Sequence, residues 1–184
     1  AEAARAANGG FGAGAATANI TPPLGAVIAG SMRPSFAQEI HDELLVKSLV
    51  LDNGRTRLAI AACDVCVIPE EVAATAKALA ARETGIPREN ILVAATHTHS
   101  APATLHIFQS RPDPAYLDWL AVRVADCVRL AAGRIEPARL GHASGREERL
   151  VFNRRYYMKP GVELRDPFGK LDHVKTNPGP MNPD

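Results

Sequence analysis

The chain has 184 residues, with 21 Lys+Arg against 20 Asp+Glu, 46% hydrophobic content and 22% charged content. That is the size of one ordinary domain or a large piece of a bigger one, with enough apolar residues for a sizeable core, which argues against bulk disorder. A net charge of +1 gives no electrostatic footprint for nucleic acid, and no run reaches the roughly 20 apolar residues of a membrane helix.

Residues 1–11 read as a frayed, small-residue lead-in with no signal segment visible in it. A first strand is expected over Gly12 to Ile20, stopped by Thr21-Pro22-Pro23-Leu24-Gly25. His41-Asp42 then introduces an apolar run from Leu44 to Asp52, and Asn53-Gly54 marks a hairpin turn, because that pair favours positive φ. The returning strand runs from Arg57 to Cys63 and on toward Val67. Pro69 fits the start of a helix that ends near Glu83, with Gly85 as its stop. Ile91-Leu92-Val93-Ala94-Ala95 has the continuous apolar pattern of a strand buried on both faces.

Strand, helix and strand in this order predict a βαβ unit, hence an α/β fold: a layered mixed sheet with flanking helices. Asp113-Pro114 caps a second helix. Its Leu117, Leu120, Val124, Cys127, Val128 and Ala131 recur at spacings of three and four, and Gly133 ends it. Arg139–Ala143 and Leu150–Phe152 are weaker strand candidates. From Asn153 to Asp184 no period of 2 or 3.6 is sustained, and five of the chain's 14 prolines fall after Met158. Structureless stretches longer than about 15 residues are uncommon in compact domains. This segment is therefore expected to pack against sequence outside the 184 residues, and the chain reads as a fragment, with residues 12–184 the front part of a larger domain.

Thr96-His97-Thr98-His99-Ser100-Ala101-Pro102 follows the apolar strand directly. If the strand continues, His97 and His99 share a face, since side chains alternate. Two imidazoles one pleat repeat apart can chelate Zn²⁺, or set one ligand beside one acid/base group, and open α/β sheets place ligands beyond the carboxyl ends of their strands. A single His here would read as an ordinary hydrogen-bonding residue; the pair points to a site. The spacing differs from the helical HExxH pair of metalloproteases. A catalytic zinc usually takes three protein ligands, and the third is not identifiable from spacing. His41, His106, His142 and His173 each stand alone, with His41 the best placed for an active-site rim.

Cys63-Asp64-Val65-Cys66 is formally CxxC. A redox pair sits at a helix N-terminus, whereas this one falls at a strand end, so the cysteines read as two small buried hydrophobes. Asp64 between them is a candidate to orient a metal-bound His from behind. Three cysteines (Cys63, Cys66, Cys127) make no disulfide framework. Gly10-Phe11-Gly12-Ala13-Gly14 is no phosphate loop, because no strand precedes it and Pro22-Pro23 follows. Asn19-Ile20-Thr21 is a weak glycosylation acceptor, Asn153 to Tyr157 is a cationic and aromatic patch, and no Ser sits in a GxSxG elbow.

Several stretches, taken in order, resemble the N-terminal catalytic region of the neutral/alkaline (non-lysosomal) ceramidase family. They are Gly14 through Asn19-Ile20-Thr21-Pro22, Ile40-His41-Asp42-Glu43-Leu44, Gly85-Ile86-Pro87 with Asn90-Ile91-Leu92, and above all Ala95-Thr96-His97-Thr98-His99-Ser100. Asn153-Arg154-Arg155 and Gly179-Pro180-Met181-Asn182-Pro183 look similar too. The resemblance implies a zinc-dependent amidase that cleaves the N-acyl bond of ceramide to sphingosine and a fatty acid through a zinc-activated water. It implies His97 as zinc ligand and His99 as the neighbouring catalytic or substrate-polarising group, with Ser100 beside them. The sequence departs from the family at Ala101, where Gly is usual. The remaining ligands that the resemblance implies (a second His, a Glu and a Tyr) and the catalytic Ser of a Gly-Asp-Val-Ser-Pro segment would lie beyond Asp184.

A lipid amide is the implied substrate, a secreted or periplasmic compartment the implied setting, and the Ala- and Arg-rich composition fits a bacterial source. The alternatives are a zinc hydrolase of the same fold acting on another amide or ester, and a non-catalytic binding protein that keeps the fold.

Overall fold

The computed structural model describes residues 10–30, 32–33, 35–147, 149, 155–157, 160–161, 163–166, 168–172 and 174–176. The chain forms two compact units, Ala1–Leu140 and Gly141–Asp184.

In the first unit, β1 (Gly12–Asn19), β4 (Leu45–Asp52), β5 (Arg57–Cys63), β6 (Ile91–Ala95) and β7 (Glu136–Pro137) form one sheet in the order β6-β5-β4-β1-β7. Two short strands, β2 (Val27–Ile28) and β3 (Ser35–Phe36), pair separately. The sheet is mixed: β4 pairs antiparallel with β1 and β5, while β5 and β6 are parallel. The crossover between those two is α1 (Glu70–Thr84), so the expected βαβ unit is present. α2 (Pro114–Ala132) packs beside α1 on the same side of the sheet.

Alternation along the strands builds the core. Ala16 and Ala18 of β1, Val46 and Val50 of β4, and Ala59, Ala61 and Cys63 of β5 turn inward and are buried against Leu120, Val124, Cys127 and Val128 of α2. The inward residues of β1 are small because the helix comes close: a Cβ on Gly14 would lie 2.1 Å from the Ala131 carbonyl oxygen. The β4–β5 turn forms at Asn53-Gly54 as expected. Gly54 has φ 81°, and Asn53 Oδ1 accepts from the backbone N–H groups of Arg55 and Thr56. Gly85, also left-handed at φ 71°, closes α1 by donating to the Ala81 carbonyl. Asp113 caps α2 by accepting from Ala115 N, with Pro114 in the first turn.

Three expectations need correction. β6 is not buried on both faces: it is the edge strand, and Leu92 is 55% exposed. A short apolar run looks the same at an edge as in a sheet centre, since periodicity alone does not say which neighbours exist. The returning strand β5 stops at Cys63, where residues 64–66 bend away. Arg139–Ala143 is exposed and forms no strand; the last strand of this sheet is instead the two-residue β7, whose Pro137 suits an edge position.

The C-terminal stretch, where no period is sustained, forms short strands in the second unit. There β8 (Arg155–Tyr157) pairs antiparallel with β11 (Val174–Thr176), and β9 (Leu164–Arg165) with β10 (Leu171–Asp172) nested between them. Asp166 organises the inner turn, its Oδ1 accepting from Phe168 N and Lys170 N. Strands of two or three residues are too short to show a period. Leu150–Phe152, residues 153–154 of the cationic patch, His173, Gly179–Pro183 and the first nine residues lie outside the described residues. Among the described residues no helix is long and apolar enough to cross a membrane.

Candidate metal centre

β5 and β6 end side by side because they are parallel, so the segments that leave them, residues 64–66 and 96–100, run together at the carboxyl edge of the sheet. Thr96 N donates to the Cys63 carbonyl and His97 N to the Val65 carbonyl, which carries the pairing two residues past the strands. On its other side the same loop is tied to β2, with Ala29 N donating to Ala101 O and Ala103 N to Val27 O.

His97 and His99 do meet, though not by strand alternation. β6 ends at Ala95, and His97 takes φ 63°, a left-handed conformation that costs a side chain bearing a Cβ. That twist sets the two rings edge to face at 78°, centroids 4.9 Å apart, with Nε2 to Nε2 at 3.3 Å. His97 Nδ1 lies 2.8 Å from the Cys66 carbonyl oxygen, so Nδ1 carries the proton and donates it there. This leaves the Nε2 lone pair of His97 facing His99, in the manner of metal-ligating histidines whose second nitrogen is held by a backbone carbonyl.

Cys66 is the residue that sequence reasoning set aside. Its thiol is buried, lies 3.7 Å from His97 Nδ1, and forms with His97 and His99 a group whose donor atoms all fall within 4.8 Å of one another. The signal was present: Cys66 follows the strand that parallels β6, at the same sheet edge. Cys63, by contrast, is the buried hydrophobe that was expected. It is fully enclosed, and burial, reinforced by the Cys127 thiol and then Asp64, pushes its pKa up to about 12.

Gly30 is a second residue without a sequence signal. It has φ 93°, and a Cβ there would lie 2.4 Å from His99 Cγ, so only glycine leaves room for that ring.

The other candidates are placed as follows. Ser100, exposed, donates its N–H to Thr98 Oγ1. His41 pairs with Asp42 at 2.8 Å, both almost fully exposed. His41, Thr98, His99 and Ser100 all line one groove of about 690 Å³, whose apolar wall includes Ile28, Phe36, Ile40 and Leu44. Asp64 does not turn to an imidazole among its described contacts. Its Oδ2 accepts from Leu45 N and sits 3.6 Å from Lys47 Nζ, so the carboxylate fastens the end of β5 to the start of β4. His106 is exposed on a separate loop, and His142 belongs to the second unit.

Ceramidase structures are among the solved structures that resemble the chain. The structure of neutral ceramidase from Pseudomonas aeruginosa superposes with a TM-score of 0.66 over 89% of this chain and 31% of that one, at 22% identity. This chain has the neutral ceramidase fold. A ceramidase complexed with C2 gives the same TM-score at 21% identity, over 89% of this chain and 30% of that one. The chain therefore spans about a third of the length of these ceramidase structures. No protein-family model and no curated protein matches it.

Proposed function

We propose that the chain is the front part, residues 12–184, of a zinc-dependent amidohydrolase of the neutral ceramidase type, which cleaves the N-acyl bond of ceramide to sphingosine and a fatty acid. The observation that carries this reading is the pair of imidazole nitrogens 3.3 Å apart at the carboxyl edge of a sheet with the neutral ceramidase fold. With Zn–N bonds of about 2.0–2.1 Å, that separation would set His99 Nε2 beside an ion held on His97 Nε2, within reach of a group bound to it.

His97 would hold zinc through Nε2. When bound, the ion supplies Lewis acidity to the scissile carbonyl and lowers the pKa of water to about 7. The rest is done by the chain's own groups. The Cys66 carbonyl keeps the proton on His97 Nδ1 and so keeps Nε2 free to bind. His99 Nε2, 3.3 Å from His97 Nε2, would donate toward the amide oxygen as negative charge develops there. The groove beside it offers Phe36, Ile40 and Leu44 to an acyl chain and the exposed His41, Asp42 and Ser100 to a polar head. A lipid amide is thus the substrate class that the lining favours, and a secreted or periplasmic setting goes with that family.

The test is hydrolysis of a short-chain fluorescent ceramide by the protein expressed through its natural stop codon, with and without chelator. Sphingosine release that disappears with chelator and in His97→Ala is the expected result. A protein that binds zinc stoichiometrically yet leaves ceramide intact would overturn the ceramidase reading in favour of another amide or ester substrate, or of a binding role.

A further inference from the structure

We propose that Thr104 and Asp64 are positioning residues for the zinc ligand His97, clamping the two ends of the segment whose carbonyls fix its ring. This role rests on the zinc reading above and deepens it.

The loop that carries the histidines lies along residues 63–67 and ties itself to their carbonyls. Thr96 N–H donates to Cys63 O, His97 N–H to Val65 O and His97 Nδ1–H to Cys66 O. The last tie comes from beyond the histidines, where the Thr104 hydroxyl donates to Val67 O. Thr104 is 2% exposed, so no solvent stands ready to replace that donor, and losing it would leave a buried carbonyl unpaired. At the other end Asp64 is joined to β4 in both directions. Its N–H donates to Leu45 O, and its Oδ2 accepts from Leu45 N with Lys47 Nζ 3.6 Å away. Between these two anchors stand only Val65 and Cys66, both buried, and theirs are the two carbonyls that hold His97.

The chemical consequence falls on the ligand nitrogen. A neutral imidazole carries one proton, and the hydrogen bond at one nitrogen decides which of the two bears it. If residues 64–67 shift, Cys66 O leaves Nδ1, the proton moves to Nε2, and the lone pair that would bind the ion is occupied. His97 also stands at φ 63°, a conformation that persists only where its surroundings hold it. Thr104 and Asp64 act through the main chain, with no imidazole among their described hydrogen bonds.

The experiment uses the protein expressed through its natural stop codon, labelled with ¹⁵N-histidine and freed of metal, at mildly alkaline pH where imidazoles are neutral. The His97 ring signals, identified by their loss in His97→Ala, report its tautomer. Zinc affinity is measured by competition with a chelator, and thermal unfolding is the fold control. Wild type should show the Nδ1–H tautomer. Thr104→Val and Asp64→Ala should each shift it toward a mixture and weaken zinc binding by about tenfold. Thr104→Ser and Asp64→Asn, which keep the donor and the acceptor, should restore both. If one variant does not fold, its counterpart at the other end of the segment decides. A wild-type ring in the Nε2–H tautomer overturns the proposal before any variant is made. Variants that lose thermal stability yet keep tautomer and affinity overturn it as well, because a merely structural role does just that. A tautomer that responds as expected in a protein that binds no zinc sustains the clamp and overturns the zinc reading instead.

Discussion

His97 occupies the left-handed region at φ 63°, where a Cβ crowds the backbone by roughly 1–2 kcal/mol, and its ring is held there by the Val65 and Cys66 carbonyls. Replacing it tests whether the loop geometry serves the site. His97→Gly should be more stable than His97→Ala by about 1 kcal/mol in urea unfolding, because glycine relieves the strain that alanine keeps. Equal stabilities would show that the conformation is unstrained. Gly30→Ala should displace the His99 ring and lower turnover of short-chain ceramide by about 100-fold while zinc content stays that of the parent, as loss of a donor at the reacting oxygen does. Unchanged turnover would remove Gly30 from the site. At this scale the sequence showed His97 and His99, because two histidines in a short motif are conspicuous. It did not show Cys66 or Gly30, because their roles come from a neighbouring strand end and a crossing loop distant in sequence.

α2 carries the burial that holds the sheet. Leu120, fully enclosed between sheet and helix, should cost about 2–5 kcal/mol when cut to alanine, whereas Asp113→Ala, which removes only the cap on Ala115 N, should cost about 1 kcal/mol. Both are readable as shifts of the urea midpoint, and a cap variant as damaging as the core variant would contradict the assignment. Both helices were legible because Pro69, Gly85, Asp113, Pro114 and Gly133 mark their ends and the apolar stripe of α2 marks its buried face. The position of β6 was not legible. Leu49, Ile60 and Leu92 stand opposite one another across β4, β5 and β6, all partly exposed on the face away from the helices. Strand order is a long-range property that a run of five apolar residues does not encode.

For the molecule as a whole, burial of the thiols makes stability depend on alkaline pH. Cys63 has its pKa raised to about 12 from an ordinary value of 9.0, and that of Cys127 is also raised, chiefly by burial. The neutral thiol is favoured in the folded state, so its contribution is fully present below about pH 9 and is lost as pH rises toward 12. Stability should therefore fall over that window, and Cys63→Ala should flatten part of the decline. An identical pH profile in the variant would assign the decline to other groups.

The chain matches about a third of the ceramidase structures, and among its described residues one edge of the five-stranded sheet brings two imidazoles and a thiol together. The most direct measurement of the central claim is zinc content by elemental analysis of the protein expressed through its natural stop codon, alongside His97→Ala. About one zinc per chain, absent from the folded variant, is the predicted result. Folded protein with no zinc in either form would contradict the account and leave only the shared fold.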